Sequence, residues 1–251
     1  MSGRRVLVTG ASRGIGRAVA AAFAAQGDRI AIHHRDSAAE AATVLAELPG
    51  QGPGQRHAVV QADLADPEAV RLMVDAAAGE LGGIDVVVNN AGVFFHHPIT
   101  ESSYEEWQAA WRRTLDVNLT GAANVIWCAL KHMPAGGRIV NVSSRGAFRG
   151  EPDSPAYGAS KAGLNALGQS LAVALAPHGI AVATVAPGFV ETDMASEHLN
   201  GSEGDAIRAQ SPFGRVASPE EIAAAVVYLA SPAAEWASGA VLDLNGASYL
   251  R

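Results

Sequence analysis

An alternation limits what this chain can fold into more than any other feature. Short β-branched runs fall at residues 5–9, 29–33, 57–61, 85–89, 138–142, 180–185 and 240–244. Alanine-rich stretches with helical periodicity fall between them, at 15–26, 38–48, 67–80, 104–131, 157–176 and 219–230. Strands joined through helices run parallel, and a parallel sheet needs cover on both faces. The expectation is seven parallel strands in one sheet with helices on either side.

At 251 residues and 49% hydrophobic content, the chain fits one large domain, residues 1–251, better than two small ones. The connector at 48–57, with three glycines and two prolines, reads as a surface turn and not as a domain linker. A net charge of -7 argues against nucleic acid, which selects clustered Lys and Arg. Cys128 is the only cysteine, so the sequence offers neither a disulfide framework nor a thiolate metal cage and suits a reducing, cytoplasmic setting. The first residues lack a signal-peptide hydrophobic region. The longest uncharged stretch, 162–190, is broken by Asn165, Gln169, Pro177, His178, Pro187 and Gly188, which predicts burial in protein and not in a membrane.

The segment VLVTGASRGIG places Gly10, Gly14 and Gly16 between the first strand and the first helix. Glycines there let the backbone turn tightly and approach a pyrophosphate at the positive helix N-terminus. A ligand-free glycine turn is the plainer reading. Which nicotinamide dinucleotide binds depends on the end of the second strand, where a carboxylate holds ribose hydroxyls and repels a 2′-phosphate. That position holds His34, followed by Arg35, and Arg13 in the glycine loop can reach the same phosphate. A pair of guanidinium forks suits phosphate oxygens, so NADP(H) is favoured over NAD(H). The competing reading makes Arg35 a surface charge offset by Asp36.

Tyr157 and Lys161, in YGASK, stand four residues apart on one helix face. A free phenol titrates near about 10, too high for acid–base work at neutral pH, and a nearby ammonium lowers it. Thirteen residues before Tyr157, RIVNVSSRG sets Ser143 and Ser144 just past a strand, at the sheet edge where ligands bind. Two hydroxyls compete to hold a substrate oxygen, and Ser144 is preferred. Asn118 is a polar residue in an apolar helix; it either frees a carbonyl for a proton-relay water or is a satisfied core amide.

Together TGASRGIG, Asp63 in ADL, NNAG at 89–92, Asn118, Ser144, YGASK and PGFVET resemble the classical short-chain dehydrogenases/reductases over essentially the whole chain, nearest the 3-oxoacyl reductases. The resemblance implies a single Rossmann-type doubly wound α/β domain and a catalytic tetrad of Asn118, Ser144, Tyr157 and Lys161. For the cofactor it implies Ser12 and Ile15 beside the loop glycines, Asp63 and Leu64 at the adenine, and Asn90, Ala91 and Gly92 along its length. Pro187, Gly188, Val190 and Thr192 are implied at the nicotinamide, with Tyr157 and Lys161 reaching the same end. It also implies a homo-oligomer, by resemblance a tetramer; the 157–176 helix carries no charge beyond Lys161 and asks for a second partner face.

Carrier-protein reductases of this kind place basic residues before the GRIV strand, but here only Lys131 and Arg138 stand there. An acyl carrier protein partner is therefore doubtful. Residues 194–212, rich in small polar groups, read as a lid. Phe94, Phe95, His96 and His97 are expected near the pocket entrance, the histidines as loop residues and not as metal ligands. The leading expectation is an NADPH-dependent ketone reductase, on a 3-oxoacyl or another ketone. The alternatives are an NAD-dependent sugar or polyol dehydrogenase and a non-catalytic dinucleotide sensor.

Overall fold

A computed structural model describes residues 3–50, 57–193, 196, 199, 202 and 204–251. Most of the expected connector and part of the expected lid lie outside these residues. One sheet holds seven strands, β1 (Arg5–Val8), β2 (Arg29–His34), β3 (Ala58–Gln61), β4 (Val86–Asn89), β5 (Arg138–Val142), β6 (Ala181–Pro187) and β7 (Val241–Leu244). Each lies within two residues of its expected run. All neighbours pair in parallel, in the order β3-β2-β1-β4-β5-β6-β7. The order reverses between β1 and β4, and in open sheets of this kind ligands bind at the carboxyl ends beside that reversal.

The two faces follow from the period-2 strand geometry. In β1, Val6 and Val8 join the core under α1 (Gly14–Ala24), α2 (Ala38–Glu47) and the C-terminal helix Pro219–Leu229. Leu7 joins the opposite core, under α3 (Pro67–Leu81), α5 (Ala122–Ala129) and α7 (Pro155–Leu175). Both cores are mainly aliphatic, with Phe23 buried in the first, and each fully buried large side chain contributes about 1.5–3 kcal/mol. Helix α3 starts on Asp66, whose carboxylate accepts from the Glu68 and Ala69 amides, and ends on left-handed Gly82.

The stretch expected as one helix at 104–131 is not one helix. Helix α4 (Tyr104–Leu115) runs from a Ser103/Glu106 capping box into a π-helical segment, Asp116–Gly121, before α5. An apolar period cannot reveal the one extra residue per turn that a π segment inserts. Two short helices also went unpredicted, α6 (Gly146–Arg149) and α8 (Gly204–Ala209); the Pro219–Leu229 helix is therefore α9. At four and six residues, neither is long enough for its periodicity to be read from sequence. Among the described residues no helix is long and apolar enough to cross a membrane.

Candidate active site

A cleft of about 570 Å³ runs along the carboxyl edge of the sheet, and its two ends are built differently. At the β1–α1 end Gly14 sits at φ +54°, a conformation open to glycine, and the loop wraps the start of α1. A Cβ on Gly16 would lie 2.2 Å from the Gly10 carbonyl oxygen, so only glycine lets the helix approach this closely. The Asn90 amide donates to the Thr9 and Gly10 carbonyls at 2.9 and 3.0 Å, while the Thr9 hydroxyl accepts from the Asn90 and Ala91 backbone N–H groups. Strand β4 thereby holds the shape of the glycine loop.

Buried His33 completes that end. Its Nδ1 accepts from the Gly10 amide at 3.0 Å and its Nε2 lies 3.1 Å from the Ala62 carbonyl. Burial pushes its pKa down to about 4, so the ring is neutral, with Nε2–H donating. Next to it His34 is 4% exposed, and its Nδ1 has no hydrogen-bond partner among the described residues. Arg13 and Arg35 both line the cleft from exposed positions, Arg35 in contact with Asp36. Asp63 accepts from the Ala65 amide at 3.0 Å and from Arg113 at 2.8 Å. Burial works to raise its carboxyl, but Arg113 outweighs it and holds the pKa below the usual carboxylate value.

At the other end α7 begins at Pro155 and carries Tyr157 and Lys161 one turn apart beneath the end of β5. The Lys161 ammonium donates to the Val142 carbonyl at 2.8 Å and lies 5.7 Å from the Tyr157 ring centroid. Both candidate serines line the cleft and differ in what their hydroxyls touch. Ser143 is 4% exposed, with its hydroxyl donating to the Lys161 carbonyl at 3.2 Å. The Ser144 Oγ accepts from the Gly146 amide at 3.0 Å, and its hydroxyl stands beside the Tyr157 phenol and acts on it. Phe94 packs edge-on against the Tyr157 ring at 5.0 Å.

Burial dominates the electrostatics of both Tyr157 and Lys161. Loss of hydration pushes the phenol up to about 12; the Ser144 hydrogen bond works against this, and the Glu151 carboxylate adds to it. Burial alone pushes Lys161 down to about 8. In the protein alone, Tyr157 is a fully protonated phenol at neutral pH.

The cleft brings together Gly10, Ser12, Arg13, Gly14, Ile15, His34, Arg35, Asp63, Leu64, Asn90, Ala91, Gly92, Ser144, Tyr157, Lys161, Pro187, Gly188, Val190 and Thr192. Two of the expected catalytic and cofactor-binding residues are not among its lining. Gly16 serves the helix approach, and Asn118, 1% exposed in the π segment, clasps the Val93 backbone. Its Oδ1 accepts from the Val93 amide at 2.8 Å, and its Nδ2 donates to the Val93 carbonyl at 3.0 Å and to Ser160 at 3.1 Å. Phe94 and His96 line the cleft, whereas His97 is buried behind it, engaged with the Phe95 carbonyl and the Ala156 amide. Thr9, His33, Arg113 and Arg145 escaped the sequence reading; only the arginine after the serine pair carried a visible signal, a charge at a strand end.

The residues fit a nicotinamide dinucleotide. Gly10 and Gly14 line the cleft with bare backbone beside the start of α1, as a pyrophosphate requires, His34 has an orphaned polar atom at the ribose position, and Lys161 lines a cleft that reaches Thr192.

Comparison with known proteins agrees with that geometry. A family model described as enoyl-(acyl carrier protein) reductase matches residues 10–246. The chain is 36% identical to the 3-oxoacyl-[acyl-carrier-protein] reductase of Vibrio cholerae, over 100% of this chain and 99% of that one. It is 40% identical to D-threitol dehydrogenase of Mycolicibacterium smegmatis, over 98% and 93%. A short-chain dehydrogenase of Burkholderia cenocepacia, solved in complex with NADP, superimposes with a TM-score of 0.89 at 37% identity, covering 98% of each chain. The chain belongs to the classical short-chain dehydrogenases/reductases related to the 3-oxoacyl-carrier reductases, and is an NAD(P)-dependent oxidoreductase acting between secondary alcohols and ketones.

Proposed function

We propose that this protein is an NADPH-dependent reductase of a ketone, with Tyr157 as the proton donor. The observation that carries the reading is the Ser144 hydroxyl beside the Tyr157 phenol in the lining of the cleft, with burial holding the phenol protonated. A bound nicotinamide supplies the hydride. Ser144 and Tyr157 together hold the carbonyl oxygen, and Tyr157 delivers a proton to it as negative charge develops there. Lys161, anchored on Val142, donates to ribose hydroxyls and keeps positive charge near the phenol. Asn118 acts through Val93, fixing the loop that runs past Tyr157. Thr192 is placed to hold the carboxamide, Asp63 and Leu64 the adenine.

The preference for NADPH rests on Arg13 and Arg35 at the ribose end and on the absence of a carboxylate at His34. The NADP complex of the Burkholderia relative is consistent with it. Lys131 is stacked over Trp127 at 4.1 Å, and Arg138 is buried against Glu235 at 2.8 Å, so the basic residues expected to draw an acyl carrier are committed elsewhere. A small free ketone fits better than a carrier-bound one. The described part of the 194–212 segment places Ile207 and Gln210 on the cleft wall, as a lid would. A homotetramer with α7 at one interface accords with Val173 and Trp127, 79% and 61% exposed.

The test is a ketone panel read by NADPH consumption, with Tyr157→Phe as control; full turnover by that variant would overturn the mechanism. A second reading, an NAD-dependent polyol dehydrogenase, is favoured by the threitol dehydrogenase relative and by the contact of Arg35 with Asp36. Initial rates with the two cofactors separate the two.

A further inference from the structure

The wall beyond Ser144 holds a cation that proton and hydride transfer do not use. Arg145 is 3% exposed, yet every contact of its guanidinium is with a neutral group: Gln210 Oε1 at 2.6 Å, the Ser248 hydroxyl and the face of Phe189 at 5.0 Å. No carboxylate among the described residues forms an ion pair with it. The contrast with Arg138 is direct, since that equally buried arginine has Glu235. A buried charge without a counter-ion is costly, and proteins retain one where something brings the missing charge. Nearby, Arg149 adds a like charge and Glu151 an opposing one, and those two pair with each other at 3.5 Å and not with Arg145. Burial pushes Arg145 down to about 10, which leaves it cationic at neutral pH.

The position of this charge is specific. Arg145, Phe189 and Ile207 line both the main cleft and an adjoining pocket of about 240 Å³, where the floor is Ser211, Asn245 and Ser248. The backbone amide of Arg145 donates to the Pro187 carbonyl at 2.9 Å, which fixes the residue against the end of β6. Its guanidinium thus stands on the lid side of the site, one residue past the hydroxyl that holds the carbonyl oxygen.

We infer that the substrate is an oxo acid, whose carboxylate docks on Arg145 while its ketone oxygen sits between Ser144 and Tyr157. This rests on the ketone-reductase reading and names its substrate class. One unmatched positive charge calls for one negative charge, and the planar guanidinium fork matches a carboxylate in two parallel hydrogen bonds. A dianionic phosphate would leave one negative charge unmatched beside the buried guanidinium. Gln210 and Ser248 are neutral acceptors that can release the guanidinium without leaving an ion behind.

The experiment compares acetoacetate and levulinate with their methyl esters, reading kcat/KM by NADPH oxidation in the wild-type enzyme, Arg145→Met and Arg145→Lys. The expected result is that at least one acid exceeds its ester by about tenfold or more, the size of one charge-assisted pair. In Arg145→Met the acid loses about tenfold more than the ester, through KM, and Arg145→Lys recovers part of that difference. Equal acid and ester rates in the wild type, or equal losses for both in Arg145→Met, overturn the inference and make Arg145 a strut between the lid and the C-terminal turn. The wild-type ratio decides even if the Met variant does not fold. Absence of turnover with every ketone overturns the underlying reductase reading instead, and is told apart because the esters fail too.

Discussion

The two ends of the cleft handle positive charge in opposite ways. At the dinucleotide end Arg13 and Arg35 stand in solvent at the mouth. At the reacting end Lys161 and Arg145 are 4% and 3% exposed. Exposed charge is screened and adjustable, so it can discriminate between ligands while contributing little to the fold. Buried charge is strong and expensive, and it changes what neighbouring groups can do. Selectivity and reactivity are therefore separable in this molecule, and substitutions at the two ends are expected to report on different quantities.

The largest expected effect is at the buried end. Tyr157→Phe lowers kcat by about 10²–10⁴-fold, the span of a lost general acid, while the cofactor dissociation constant measured by fluorescence stays close to wild type. A matching loss of cofactor affinity would break the separation. Next is acid stability, set by His33. Its folded pKa of about 4 lies below the unfolded value of about 6.5, so the unfolded chain binds more protons between them. Stability is full above about pH 6.5 and falls by about 3 kcal/mol as pH drops through 4. Urea titrations across that range measure it, and a flat profile would show that the glycine loop does not depend on a neutral ring.

At the exposed end, Arg35→Asp is expected to move the NADPH/NADH ratio of kcat/KM by about 10–100-fold toward NADH with an unchanged melting temperature. An unchanged ratio would remove Arg35 from the phosphate site. The smallest effect is a pH profile: if Lys161 acts as a cation, ketone reduction falls about tenfold between pH 7 and 9 as the group at about 8 loses its proton. Tyr157, titrating near about 12, contributes nothing to that fall.

The fold was legible because it repeats: each of the seven runs is β-branched, bounded and spaced by a helix, and a parallel sheet leaves little else for such a pattern. The glycine loop and the YGASK pair were legible because fixed offsets put them at a strand end and on one helix face. The grounds for preferring Ser144 over Ser143 came from the structure, since both line the cleft and the Ser143 hydroxyl is committed to the Lys161 carbonyl. Thr9, His33 and Asn90 work by clasping backbone atoms far away in sequence, which no local pattern encodes. The effect of burial on Tyr157 was not legible either, because burial is a property of the packed molecule; it pushes the phenol up to about 12.

The π segment at Asp116–Gly121 has a bearing on how this chain tolerates insertion and deletion. Each residue of an α-helix advances the side chains by about 100°, so removing one residue ahead of Asn118 would rotate its amide away from Val93 by that angle. Most helices absorb substitution more readily than a change of length, but here length itself sets the aim of the amide. Any recombination that swaps 104–129 between relatives has to conserve the residue count before it conserves the residues.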